Sequence, residues 1–158
     1  MADVTSFLEE AGVDFDVLEH GHTERAVDEA AALGIGPEEV AKTLVLVAPS
    51  GNVRAVLAAS ERIDVRKVAA VLGVGGKKVQ LASEDDLARD YPDFELGAVP
   101  PFGGHGDQVI VDERLAGRDS VVLEAGTHER SVRLKAADLV RLTQAQVADI
   151  RREESTEG

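Results

Sequence analysis

Cysteine is absent from the 158-residue chain, and so is tryptophan. Without cysteine there is no disulfide, no thiolate metal site and no protein thiol nucleophile. Aromatic residues are scarce, with 4 Phe and 1 Tyr, so the core must be built mainly from Ala, Val and Leu. No apolar run approaches the length needed to span a membrane. Met1-Ala2-Asp3-Val4 carries neither the basic nor the apolar block of a signal peptide. These absences predict a cytoplasmic protein without membrane contact. Bases are also few, 17 Lys and Arg against 30 Asp and Glu, for a net charge of −13. A surface this acidic repels nucleic acid in dilute salt, so DNA is not an expected partner and any RNA contact must be local. The same acidity suits either a salt-rich cytoplasm, where charge is screened within a few ångströms, or simply an acidic mesophile.

The length fits one domain with a sizeable core. Residues 1–150 read as the folded unit and 151–158 as a polar tail. Ala2 to Ala11 has the spacing of a short amphipathic helix, and Val13 to Leu18 alternates as a half-buried strand does. Thr23 is placed to cap a helix reaching Leu33, and Pro37 to start a short one. Lys42 to Val47 reads as a buried strand that returns through Pro49-Ser50-Gly51-Asn52 as a hairpin over Val53 to Ala58. Asp64 is a cap for Val65 to Leu72, and Ser83 with Asp86 resembles a capping box for a helix to Arg89. Further strands are expected at Lys78–Leu81, Gln108–Val111, Ser120–Glu124 and Ser131–Leu134, then a helix from Ala137. Short hairpin turns argue against a regular βαβ array. The expected class is α+β: a mixed, largely antiparallel curved sheet surrounded by short helices.

Chemistry has few places to sit. Gly97-Ala98-Val99-Pro100-Pro101-Phe102-Gly103-Gly104 joins a stiff proline pair to flanking glycines. Such a loop can hold backbone N–H groups in a fixed direction, as an oxyanion hole requires. Pro100 and Pro101 have no N–H, so any donor comes from Gly97, Ala98, Val99 or the Phe102 side. An ordinary surface connection fits the same composition. Lys42 heads an apolar strand, and is either a strand-end lysine reaching water or a fixed cation for a phosphate or a polarised carbonyl. His128, after Gly126 and Thr127, is a surface loop residue or a group that orients water or substrate. His20 and His22 share a strand-like spacing, but without a third ligand nearby no metal site is expected. Gly73-Val74-Gly75-Gly76 is better explained as a helix end than as a phosphate loop. Arg62, Arg66, Lys67, Lys77 and Lys78 are the densest basic cluster.

In order along the chain, Ala26 to Ala31 with Leu33-Gly34, Val40-Ala41-Lys42-Thr43-Leu44-Val45, Asp64 to Lys78, Gly97 to Gly103, Val111-Asp112-Glu113 and Ala125 to Leu134 resemble the YbaK/ProX-type aminoacyl-tRNA deacylases. That family is related to the editing domain of prolyl-tRNA synthetase, and the likeness spans roughly Phe7 to Leu142. The resemblance implies a pocket between the Lys42 strand and the Gly97–Gly104 loop, and hydrolysis of an amino acid wrongly attached to tRNA. It implies Lys42 and Gly97 as the catalytic groups. Thr43, Ala98, Val99, Pro100, Pro101, Phe102, Gly126, His128 and His20 would then contact substrate, with the basic cluster on the RNA. His128 departs from the better-known members, which leaves substrate choice open. No cofactor is implied. The expected partner is the acceptor end of a mischarged tRNA, with prolyl-tRNA synthetase as a further candidate. Alanine or cysteine on proline tRNA is the expected substrate. The alternative is a noncatalytic module that binds an aminoacyl or nucleotide group on the same fold.

Overall fold

The computed structural model describes residues 4–23, 25–94, 99–102, 107–125 and 127–153. The helices are α1 (Val4–Ala11), α2 (Ala26–Leu33), α3 (Val65–Leu72), α4 (Glu84–Asp90), α5 (Glu113–Ala116) and α6 (Ala136–Thr143). The strands are β1 (Phe15–Glu19), β2 (Ala41–Ala48), β3 (Gly51–Ala58), β4 (Gln80–Leu81), β5 (Gln108–Asp112), β6 (Ser120–Glu124), β7 (Arg130–Lys135) and β8 (Gln146–Ala148). Pro37–Glu39 and Gly76–Lys78 form single 3₁₀ turns.

The class is α+β, as the sequence leads one to expect, but the strands divide into two sheets. A small antiparallel sheet has the order β1-β7-β6, and a five-stranded mixed sheet the order β4-β2-β3-β5-β8. β2 is antiparallel to β3 and β4, while β3–β5 and β5–β8 are parallel pairs. Both faces of the larger sheet are covered, which is why β3 and β5 read as continuous apolar runs. Val56, Val109 and Val111 pack with α1, α6 and the small sheet through Leu8, Leu139, Leu123 and Val132. Val53, Ala55 and Ile110, on the opposite face, pack against Val68 and Ala69 of α3. The two sheets meet where Val40 bridges Val122 in parallel, both in a third cluster with Ala30.

Local signals position α3 and α4. Asp64 accepts from Arg66 N at 3.0 Å and Lys67 N at 3.4 Å, and Gly73 closes α3 at φ 72°. Asp64→Ala is therefore expected to lower the unfolding free energy by about 1 kcal/mol, measured by urea denaturation. Ser83 and Asp86 form the reciprocal box expected for α4, with bonds of 3.1 and 3.0 Å. Thr23 does not cap α2. That helix starts after Arg25, whose side chain makes no cap bond, and Thr23 instead donates its backbone N–H to His128 O at 3.0 Å. Its hydroxyl also points to the same carbonyl, at 3.4 Å, so the tertiary contact with the β6–β7 connection takes the side chain that local spacing assigned to the helix.

The chain continues to pair after β8. Ile150 is fully buried, its N–H bonds Asp112 Oδ1 at 3.0 Å, and Arg151 bridges Ile63. Asp112 is buried too and also accepts from Arg114 N at 3.1 Å, so one carboxylate ties the end of β5 to α5 and to Ile150.

Candidate functional site

A cleft opens directly beyond the Val40–Val122 bridge, with a volume of about 480 Å³. Its walls are the start of β2 (Ala41 to Leu44), the segment after β3 (Ala59 to Arg62), the entry of α2 (Arg25 to Val27), the end of β6 (Leu123 and Glu124), and Val99 with Pro100. The sequence-derived pocket between the Lys42 strand and the proline loop thus corresponds to a real concavity among the described residues.

Lys42 is half-buried in the β2 wall. Burial lowers its pKa, the neighbouring Arg62 lowers it further, and Glu61 opposes both. Its neighbour Thr43 also lines the cleft. Glu61 is engaged by Arg151 at 3.1 Å.

Val99 and Pro100 are both buried, and their position is set from inside the protein. Arg54 on β3 is 1% exposed, donates from Nη1 to Pro100 O at 2.8 Å, and pairs through Nε with Asp107 at 3.0 Å. The guanidinium also lies 5.0 Å from the centre of the Tyr91 ring. The Tyr91 hydroxyl donates to the same Asp107 oxygen that Arg54 contacts. Burial, and then the hydrogen bond to Asp107, push the Tyr91 pKa up to about 12. The loop is therefore held by a buried, fully engaged cation rather than by proline stiffness alone. Arg54 sits in an apolar strand and gives no local sign of this task. Its only sequence signal is a charge where a buried strand should carry none.

The remaining candidates separate. Pro101 is buried, and Phe102 stacks on Phe7 with ring centres 5.1 Å apart, so its ring belongs to the core between α1 and the loop rather than to the cleft wall. Gly97, Ala98 and Gly126 lie outside the described residues. His128 is not a surface residue: it is 3% exposed, and its Nδ1 is 2.9 Å from Glu124 Oε2. His22 packs edge-on to the His128 ring at 5.2 Å. His20 is not among the residues lining the cleft, and its Nε2 is 2.9 Å from Ser131 Oγ. Ser131 in turn donates to Glu29, a fully buried carboxyl whose pKa burial raises. Among the described residues no group of three or more His, Cys, Asp or Glu is arranged to hold a metal ion.

The basic cluster also divides. Arg62 is on the cleft wall. Arg66 and Lys77 line a shallow groove with Arg152, whose backbone N–H bonds Arg62 O at 2.7 Å, so the groove adjoins the cleft mouth. Lys78 is exposed beside Lys77 in the 3₁₀ turn. Lys67 is turned away to Asp149, at 2.9 Å, and to Glu153, at 3.9 Å. Four polar cleft residues lay outside the sequence-derived set: Arg25, Ser60, Glu61 and Glu124.

Residues 20–142 match the family model described as "Aminoacyl-tRNA editing domain". The chain is 32% identical over 156 residues to the multifunctional Ser/Thr-tRNA deacylase ProXp-y of Escherichia coli K12, covering 93% of this chain and 90% of that one. It is 27% identical over 150 residues to the prolyl-tRNA editing protein ProX of Acetoanaerobium sticklandii, covering 90% and 89%. A solved structure assigned as a candidate trans-editing enzyme for prolyl tRNA synthetase superposes with a TM-score of 0.84 at 28% identity, covering 95% of each chain.

Proposed function

The chain belongs to the aminoacyl-tRNA editing domain family, and from that premise we propose that it is a trans-acting, cytoplasmic hydrolase that removes a wrongly attached small amino acid from tRNA. The observation that carries this reading is the convergence of Lys42 and Thr43 with Val99 and Pro100 on one cleft. Alanine or cysteine on proline tRNA remains the proposed substrate, and serine and threonine join it through the name of the E. coli relative. The described apolar walls, Ala26, Val27, Val99, Pro100 and Leu123, suit a short side chain. Such an activity meets a physical need, because a synthetase pocket discriminates poorly against a smaller or near-isosteric amino acid.

The target ester is already activated, so a protein nucleophile is not required. Water adds to the acyl carbon, negative charge develops on the carbonyl oxygen, and the bond to the ribose oxygen breaks with that oxygen taking up a proton. In this reading the Lys42 ammonium stabilises the developing charge, and the loop around Gly97 supplies backbone donors. Of the described loop residues, Val99 and Phe102 keep an N–H. A deacylation screen across mischarged tRNAs, run at low and high salt, tests the reading. Binding without turnover on every tRNA would leave the noncatalytic module instead.

RNA contact is proposed along the Arg62, Arg66, Lys77 and Lys78 side, with prolyl-tRNA synthetase as a further candidate partner. A Lys77→Ala/Lys78→Ala protein is expected to show a shallower plot of log affinity for tRNA against log salt, by up to about 0.9 units per lost phosphate contact. Lys67→Ala is expected to leave the slope unchanged, because that ammonium is held by Asp149 and Glu153. Superimposable lines for the double variant and wild type would put the RNA elsewhere.

A further inference from the structure

We infer that Glu124 is the receptor for the α-ammonium group of the substrate, an assignment that rests on the editing reading above. The two sheets touch at the Val40–Val122 bridge, and the cleft begins just beyond it. Lys42 and Glu124 each lie two residues past their bridge partner, one on β2 and one on β6. Strand alternation therefore puts them on corresponding sides of the two walls, a cation on one and a carboxylate on the other.

An aminoacyl ester has matching polarity. Negative charge develops at its carbonyl oxygen and is present on the adjoining phosphate, while the α-amino group is a cation. The wall of Lys42 and Arg62 fits the first end, and the wall of Glu124 fits the second. Glu61, the other carboxylate in the cleft, stands on the Lys42 side, close enough to oppose the effect of Arg62 on that ammonium. Glu124 is held in place rather than left to sample rotamers. Its side chain is 12% exposed, and the Nδ1 of His128, itself 4% exposed, is 2.9 Å from Oε2. A carboxylate fixed in a mostly dry wall makes a short, charge-assisted bond to an ammonium with little ordering cost. A site that demands a free ammonium also rejects N-acylated esters, so peptidyl-tRNA would be spared by the same contact.

The test compares aminoacyl-tRNA with α-hydroxyacyl-tRNA, made from it by nitrous-acid deamination, in single-turnover assays of wild type and Glu124→Gln. Alanyl and seryl esters serve as probes. Wild type is expected to favour the amino ester in kcat/KM by roughly ten- to hundred-fold, the worth of a hydrogen bond to a charged group. In Glu124→Gln that preference should fall to near unity, with the hydroxy ester little affected. The ratio is independent of how much protein is correctly folded, so a loss of stability cannot imitate the result. A variant that keeps the wild-type preference, or a wild type that shows none, overturns the inference while leaving the editing function standing. A wild type that cleaves neither ester on any tRNA overturns the function and the inference together.

Discussion

Lys42→Ala is expected to lower deacylation by about 10²–10³-fold, the scale on which loss of one preorganised charge-stabilising group acts in other hydrolases. The fold should survive the change. Burial and Arg62 both disfavour the Lys42 ammonium where it stands, so removing it relieves an electrostatic cost instead of creating one. The thermal midpoint of the variant is expected to be unchanged or slightly higher, while single-turnover cleavage nearly disappears. Lys42→Arg should be impaired as well, because a planar fork does not occupy the place of a compact ammonium in the cleft wall beside Arg62. A folded Lys42→Ala protein with wild-type turnover would remove this residue from the mechanism.

Arg54→Ala should be the most destabilising of the substitutions considered, for a different reason. It leaves Asp107 and the Pro100 carbonyl without the guanidinium that engages them, and breaking a buried pair from one side typically costs about 3–5 kcal/mol. Denaturant unfolding would measure that loss. At a temperature where the variant remains folded, cleavage should also fall, because Pro100 lines the cleft and its carbonyl is no longer held. Arg54→Lys should recover part of the stability but little of the loop geometry, since an ammonium does not span Asp107 and Pro100 as the fork does. A stable Arg54→Ala protein with normal turnover would show that the loop is set by other contacts.

These two residues also mark what the sequence disclosed. Lys42 was visible because it heads an apolar run, and Asp64, Gly73 and the Ser83–Asp86 box were visible because caps are local chemistry. Arg54 was not, because its partners, Pro100 and Asp107, are remote in sequence and become neighbours only through folding. Glu124 was hidden in the same way: its pairing with His128 joins the two ends of the β6–β7 connection, and its place on the cleft depends on β6 meeting the start of β2 at a single bridge. Phe102 was placed at the pocket by the family resemblance of the Gly97–Gly104 loop, whereas its stacking on Phe7 depends on where α1 packs. The division into two sheets was likewise a matter of pairing, which hydrophobic period does not encode. α5, of 4 residues, and β8, of 3, are too short to show a period at all.

The strand pairing has a consequence for how the molecule comes into being. β1 pairs with β7, and β5 cannot complete its sheet until β8 lies beside it. As synthesis proceeds from the N-terminus, β1 leaves the ribosome long before its partner exists, and β3 waits for β5 across the whole of α3 and α4. Non-local closures of this kind slow folding to the order of milliseconds to seconds, since chain entropy is lost before contacts repay it. A nascent chain halted before Arg130 has β1 and β6 without the strand that joins them, so the β6 wall of the cleft, Leu123 and Glu124, has no sheet to belong to. Assembly of the site is therefore a late, all-or-none event, and premature termination upstream of β7 should yield fragments with no residual cleavage.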